Sequence, residues 1–124
     1  KLYLSDTGIL SYLSGTDYKD LIFNQDFIKK GICAENYVAI ELIQNNIPLY
    51  YWKSDYEAEI DFLIKNDDGI IPIEVKASDN TQPKSLKTYM DNFKPKYGIR
   101  ISTKNFGYVN NIKSIPLYAV FCLK

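Results

Sequence analysis

No histidine occurs in this chain of 124 residues. That removes the imidazole base of nucleophilic triads and the usual nitrogen ligand of zinc. The two cysteines, Cys33 and Cys122, stand apart among apolar neighbours. They read as small core residues rather than as a disulfide or a reactive thiol. Arg100 is the single arginine against fourteen lysines, so bidentate reading of guanine edges is not expected as a main device. No apolar run approaches the about 18 residues that cross a bilayer, and nothing at the start reads as a signal peptide. A phosphate-binding Walker loop is missing as well. Net charge is zero, fifteen basic against fifteen acidic residues, which argues against strong, indiscriminate binding to nucleic acid. What these absences leave is oxygen-ligand chemistry built on carboxylates.

The chain has 46% apolar and 24% charged residues, ordinary values for a globular domain. A domain of this size buries roughly two-thirds of its unfolded surface, enough for one core. One intracellular domain over 1–124 is expected, in the cytoplasm. Because the sequence opens on Lys1 in what reads as a strand, it is expected to be part of a longer chain.

The segments AEIDFLI (Ala58 to Ile64) and IIPIEVKAS (Ile70 to Ser78) carry the most information. Side chains alternate faces along a strand, so Ile60, Phe62 and Ile64 are expected on one face and Glu59, Asp61, Leu63 and Lys65 on the other. In the second run Ile71, Ile73 and Val75 share a face opposite to Glu74 and Lys76. Asn66-Asp67-Asp68-Gly69 between them is turn chemistry, with Gly69 free to take positive φ. One register sets Phe62 against Ile73 and Asp61 across from Glu74; a two-residue slip sets Asp61 across from Lys76. Both keep the charged groups together, because only odd slips reverse faces. Opposed carboxylates repel unless a cation lies between them, and Mg²⁺ is a hard ion that takes such oxygens. Lys76 beside Glu74 would orient an attacking water or stabilise charge developing on a phosphate. The alternative is a solvated face with a surface salt bridge.

A third acid bears on that choice. Gly31 to Asn46 reads as a helix ending before Pro48. At about 100° per residue, Ile32, Val38, Ala39, Leu42 and Ile43 form an apolar stripe with Glu35 near its centre. A buried acid needs a partner or a metal; a salt bridge to Lys76 or a helix-boundary position is the other reading. Glu41 lies nearer the edge and is the weaker candidate.

Elsewhere the letters suggest a strand at Lys1 to Leu4, then a helix capped by Asp6 and ended by Gly15. A helical lead from Asn24 or Asp26 and a strand over Pro48 to Lys53 follow. Thr81-Gln82-Pro83 opens a helix through Asn92 with Leu86, Tyr89, Met90 and Phe93 inward. Tyr97 to Ser102 is a strand suited to lie beside the Glu-x-Lys strand, and Ile115 to Tyr118 a short apolar helix or strand. Lysines gather after the Glu-x-Lys strand: Lys84, Lys87, Lys94, Lys96 and Lys104, together with Arg100. They make either a modest phosphate-contacting surface, with Lys84, Lys87 and Arg100 as its candidates, or a solvated helix face. Of eleven tyrosines, most are expected to be structural; Tyr50, Tyr51 and Trp52 lie near the site and would stack on bases or form a partner surface.

The order helix-Glu, strand-Asp, strand-Glu-x-Lys resembles that of the restriction-endonuclease-like, or PD-(D/E)XK, nucleases. With KLYLSDTGIL, AENYVAIEL, LYYWKSDYEAEIDFLI, IIPIEVKAS and IPLYAVF in series, the whole chain resembles the C-terminal domain of a group of prokaryotic AAA-superfamily ATPases, long catalogued as a domain of unknown function. Ile60 stands where the superfamily's motif has Pro. The resemblance implies an α/β fold of restriction-endonuclease-like type, a central mixed β-sheet flanked by helices. It implies a site of Glu35, Asp61, Glu74 and Lys76, with Asp61 and Glu74 binding Mg²⁺ or Mn²⁺ for cleavage of nucleic acid, DNA foremost. It also implies an ATPase module in the same full-length chain. The alternative function is a catalytically silent recognition or regulatory module of that ATPase, binding protein or DNA.

Overall fold

The hairpin is where sequence and structure agree most closely. The computed structural model describes residues 1–17, 19, 27–55, 58–77 and 84–123. In it β2 (Glu59–Asn66) and β3 (Gly69–Lys76) pair antiparallel, with Phe62 opposite Ile73 and Ile64 opposite Ile71. From Phe62 to Asn66 this is the first of the two registers, not the slipped one, but the ladder does not extend to the expected pair of Asp61 and Glu74. Asn66 Oδ1 accepts the Asp68 amide at 2.9 Å, and Gly69 sits at φ 103°, a backbone angle that favours glycine.

Before the hairpin come α1 (Thr7–Leu13), α2 (Phe27–Gln44) and β1 (Tyr50–Lys53); after it come α3 (Lys84–Phe93), β4 (Gly98–Ser102), β5 (Gly107–Val109), β6 (Ile112–Pro116) and a 3-10 helix (Leu117–Cys122). The strands form one mixed six-stranded sheet in the order β1-β2-β3-β4-β6-β5. β3–β4 and β4–β6 pair parallel and the rest antiparallel. Parallel neighbours need a crossover, which α3 supplies between β3 and β4. The fold is thus α/β, a central mixed sheet flanked by helices. No helix among the described residues is long and apolar enough to cross a membrane.

Two apolar layers hold the sheet. Ala34, Val38, Ala39 and Leu42 of α2 pack with Phe62, Ile64, Ile71, Ile73, Ile99 and Ile101, and Val120 of the 3-10 helix joins them. Leu86 and Tyr89 of α3 pack with Ile60, flanked by Trp52, Leu63 and Met90. Ile60 therefore does not share a face with Phe62 and Ile64, contrary to strict alternation. Two steps on β1, Tyr50 to Trp52, pair with three on β2, Ile60 to Leu63. The extra residue is a bulge, and a bulge resets the alternation beside Asp61.

Other expectations need correction. Lys1 to Leu4 is extended but not a strand, because its partner is a side chain: Asn36 Oδ1 accepts the Leu4 amide at 2.8 Å and Nδ2 donates to the Leu4 carbonyl at 3.1 Å. Ile32 and Ile43, at the edge of the α2 stripe, are exposed, and Cys33 and Ala34 are buried instead. Cys122 is exposed, while Cys33 is buried as expected. The α1 cap is as expected, with Asp6 Oδ1 accepting the Ile9 amide at 2.8 Å and Gly15 at φ 63°. Tyr50 and Tyr51 are both exposed, whereas Trp52 meets Tyr89 and Phe93 edge-on at 5.2 and 5.6 Å. Ile115 and Pro116 end β6, and Leu117 opens the 3-10 helix. The helical lead at Asn24 or Asp26 and the helix start at Thr81-Gln82-Pro83 lie outside the described residues.

Candidate functional site

β2 and β3 part company at Asp61. Their ladder ends at Phe62 and Ile73, and beyond it the Asp61 carboxylate serves as acceptor in place of a backbone carbonyl. Its Oδ2 accepts the Val75 amide at 2.8 Å. Its Oδ1 faces the Lys1 ammonium at 3.4 Å. The bulge and this bond together fix the carboxylate at the end of the sheet, beside the first half of α2.

Lys1 is the residue that sequence reasoning missed. Its Nζ lies 2.6 Å from Glu59, 3.0 Å from Glu35 and 3.4 Å from Asp61. Tyr3 was also missed; its hydroxyl donates to Glu35 Oε1 at 2.7 Å while its ring packs on Phe62 at 5.7 Å. Buried Asn36 holds the backbone of the same segment. Nothing local in KLYL signals these contacts, since the partners lie 32 to 60 residues away.

Lys1, Tyr3, Glu35, Glu59, Asp61 and Lys76 line a cleft of about 460 Å³ between the strand ends and α2. Glu74 is not among its walls. Its side chain is only 2% exposed, with Oε1 3.4 Å from Lys76 Nζ, and Lys76 reaches solvent. Glu74 Oε2 is buried with no hydrogen-bond partner among the described residues. Arg100 pairs with Glu74 across β3 and β4 and has a buried, unpartnered Nε. It thus stands beside Glu74 instead of facing out with Lys84 and Lys87, which are exposed on α3. The structure brings Glu35, Asp61 and Lys76 to one cleft and sets Glu74 behind Lys76.

The family described as Domain of unknown function (DUF4143) matches residues 30–120. The chain belongs to this family. The matched stretch takes in Glu35, Asp61, Glu74 and Lys76, while Lys1 and Tyr3 precede it. No curated protein and no solved structure matches the chain.

The electrostatics of this family member follow from burial. Burial raises the pKa of Asp61; the Val75 amide opposes the shift and the nearby charge of Glu35 adds to it. Burial also raises the pKa of Glu74, opposed by Lys76 and reinforced by Asp61. For Lys1 burial works downward, but hydrogen bonds to Glu59 and Glu35 and the charge of Asp61 outweigh it, so its pKa is raised. Burial and the bond to Glu35 raise the pKa of Tyr3. Among the described residues no group of three His, Cys, Asp or Glu side chains is placed to hold a metal ion. Asp61 Oδ1 faces a positive charge, and Glu74 Oε2 is buried with no hydrogen-bond partner among the described residues; carboxylate oxygens of this kind are donors that a hard divalent cation takes.

Proposed function

We propose that the chain is a restriction-endonuclease-like, PD-(D/E)XK nuclease domain that cleaves phosphodiester bonds of nucleic acid, DNA foremost, as a cytoplasmic module of an AAA-type ATPase. The observation that carries this reading is the meeting of Glu35, Asp61 and Lys76 in one cleft, with Glu74 ion-paired to Lys76 behind it. Asp61 through Oδ1 and Glu74 through Oε2 would hold Mg²⁺ or Mn²⁺. When bound, such an ion supplies Lewis-acid stabilisation of charge on the phosphate.

The remaining roles belong to the chain's own groups. The Val75 amide fixes Asp61, so its other oxygen keeps one direction. Lys76 reaches the cleft from a strand, which makes its position precise, and there it orients the attacking water and stabilises developing negative charge. Glu35, steadied by the Tyr3 hydroxyl, completes the polar wall. Lys84 and Lys87 offer a modest contact to the phosphate backbone.

A second reading, a silent recognition or regulatory module on the ATPase, is favoured by two observations. Net charge is zero, and the Lys1 ammonium is ion-paired to carboxylates of the cleft. Nicking of supercoiled plasmid in Mn²⁺ separates the readings. The purified chain is expected to nick, and Glu74→Ala and Lys76→Ala each to lose activity by about 100-fold or more. Equal rates in all three proteins would contradict the nuclease reading; deletion of the domain changing the ATPase rate, without any nicking, would favour the module.

A further inference from the structure

The cleft holds a cation of the chain's own making. Asp61 has one oxygen committed to the Val75 amide, and the other faces Lys1 Nζ. Lys1 also takes Glu35 at 3.0 Å and Glu59 at 2.6 Å. The segment that carries it is held by side-chain contacts, with the Tyr3 ring on Phe62. Asn36 grips the backbone of Leu4, Tyr3 bonds Glu35, and Leu2 between them is 92% exposed. Among the described residues no ladder ties Lys1 to Leu4 to the sheet, so the segment can lift without unpairing a strand.

We propose that Lys1 to Leu4 is an internal stopper, in which the Lys1 ammonium competes with a divalent cation for Asp61. The inference rests on the reading of Asp61 as a cation ligand. A lysine ammonium and a divalent ion a few ångströms apart repel strongly where water is partly excluded, so the two are not held at once. Glu59, the most exposed of the three acids and the closest to Nζ, gives the ammonium a place to withdraw to. The site therefore binds its cation more weakly than its carboxylates alone would, until something lifts the segment.

Calorimetric titration of the chain with MnCl₂ at low salt tests this, beside Lys1→Gln, Lys1→Arg and Asp61→Asn. Lys1→Gln is expected to bind Mn²⁺ about tenfold tighter, because a neighbouring positive charge is gone. Lys1→Arg keeps the charge and is expected to match the parent, and Asp61→Asn to bind at least about tenfold more weakly. Equal or weaker binding by Lys1→Gln, with binding still lost in Asp61→Asn, would overturn the stopper and leave the cation site standing. No binding by any of the four proteins would overturn both.

Discussion

At the scale of single residues, Glu74 bears the highest cost of the proposed chemistry. It is almost wholly buried, one oxygen has no partner, and burial raises its pKa. A carboxylate with a raised folded-state pKa binds a proton that the unfolded chain releases, so folding stability falls as pH rises through that pKa. Urea unfolding in chelator should show this loss as pH rises above the ordinary glutamate value of 4.5, and Glu74→Gln, which cannot ionise, should flatten it. An unchanged or steeper slope in Glu74→Gln would contradict the burial account. The strand positions of Asp61, Glu74 and Lys76 were legible from two apolar runs and a turn, but alternation set all three on one face, whereas Glu74 is buried apart from the cleft. Lys1, Tyr3 and Asn36 were not legible, because side-chain bonds across more than 30 residues leave no periodic trace.

At the scale of elements, the bulge in β2 matters more than strand length. It sends Ile60 under α3 and leaves Phe62 and Ile64 under α2, with Asp61 at the switch. A bulge adds a residue without a distinctive composition here, so strict alternation mis-assigned Ile60. The β5–β6 hairpin escaped notice for a different reason. Its turn is Asn110-Asn111, both at positive φ, a weaker signal than Asn-Gly. The seat of α3 on β4 rests on Gly98: a Cβ there would meet Leu86 Cδ1 and Met90 Sδ at 3.1 Å each. Gly98→Ala is expected to lower stability by about 1–3 kcal/mol, since overpacking forces α3 outward. Urea midpoints measure it, and an unchanged midpoint would show that α3 yields freely.

At the scale of the whole molecule, most helices and strands were readable from hydrophobic runs and turn residues, while the central mixed sheet flanked by helices was expected from the family resemblance. The sheet order was not readable, because parallel pairing of β3, β4 and β6 depends on long-range contacts. Zero net charge gives the domain little general attraction for a polyanion. Cleavage, if the proposed reading holds, would then depend on the cleft more than on general attraction to the polyanion. The central claim is that Asp61, re-aimed by the bulge, makes a cation-dependent nuclease of this cleft. Its most direct test is Mn²⁺-dependent nicking of supercoiled plasmid by the chain and by Asp61→Asn at matched folding. Nicking that needs Mn²⁺ and falls about 100-fold or more in Asp61→Asn is the expected result. Nicking at the same rate in both proteins, or nicking that persists in chelator, would contradict it.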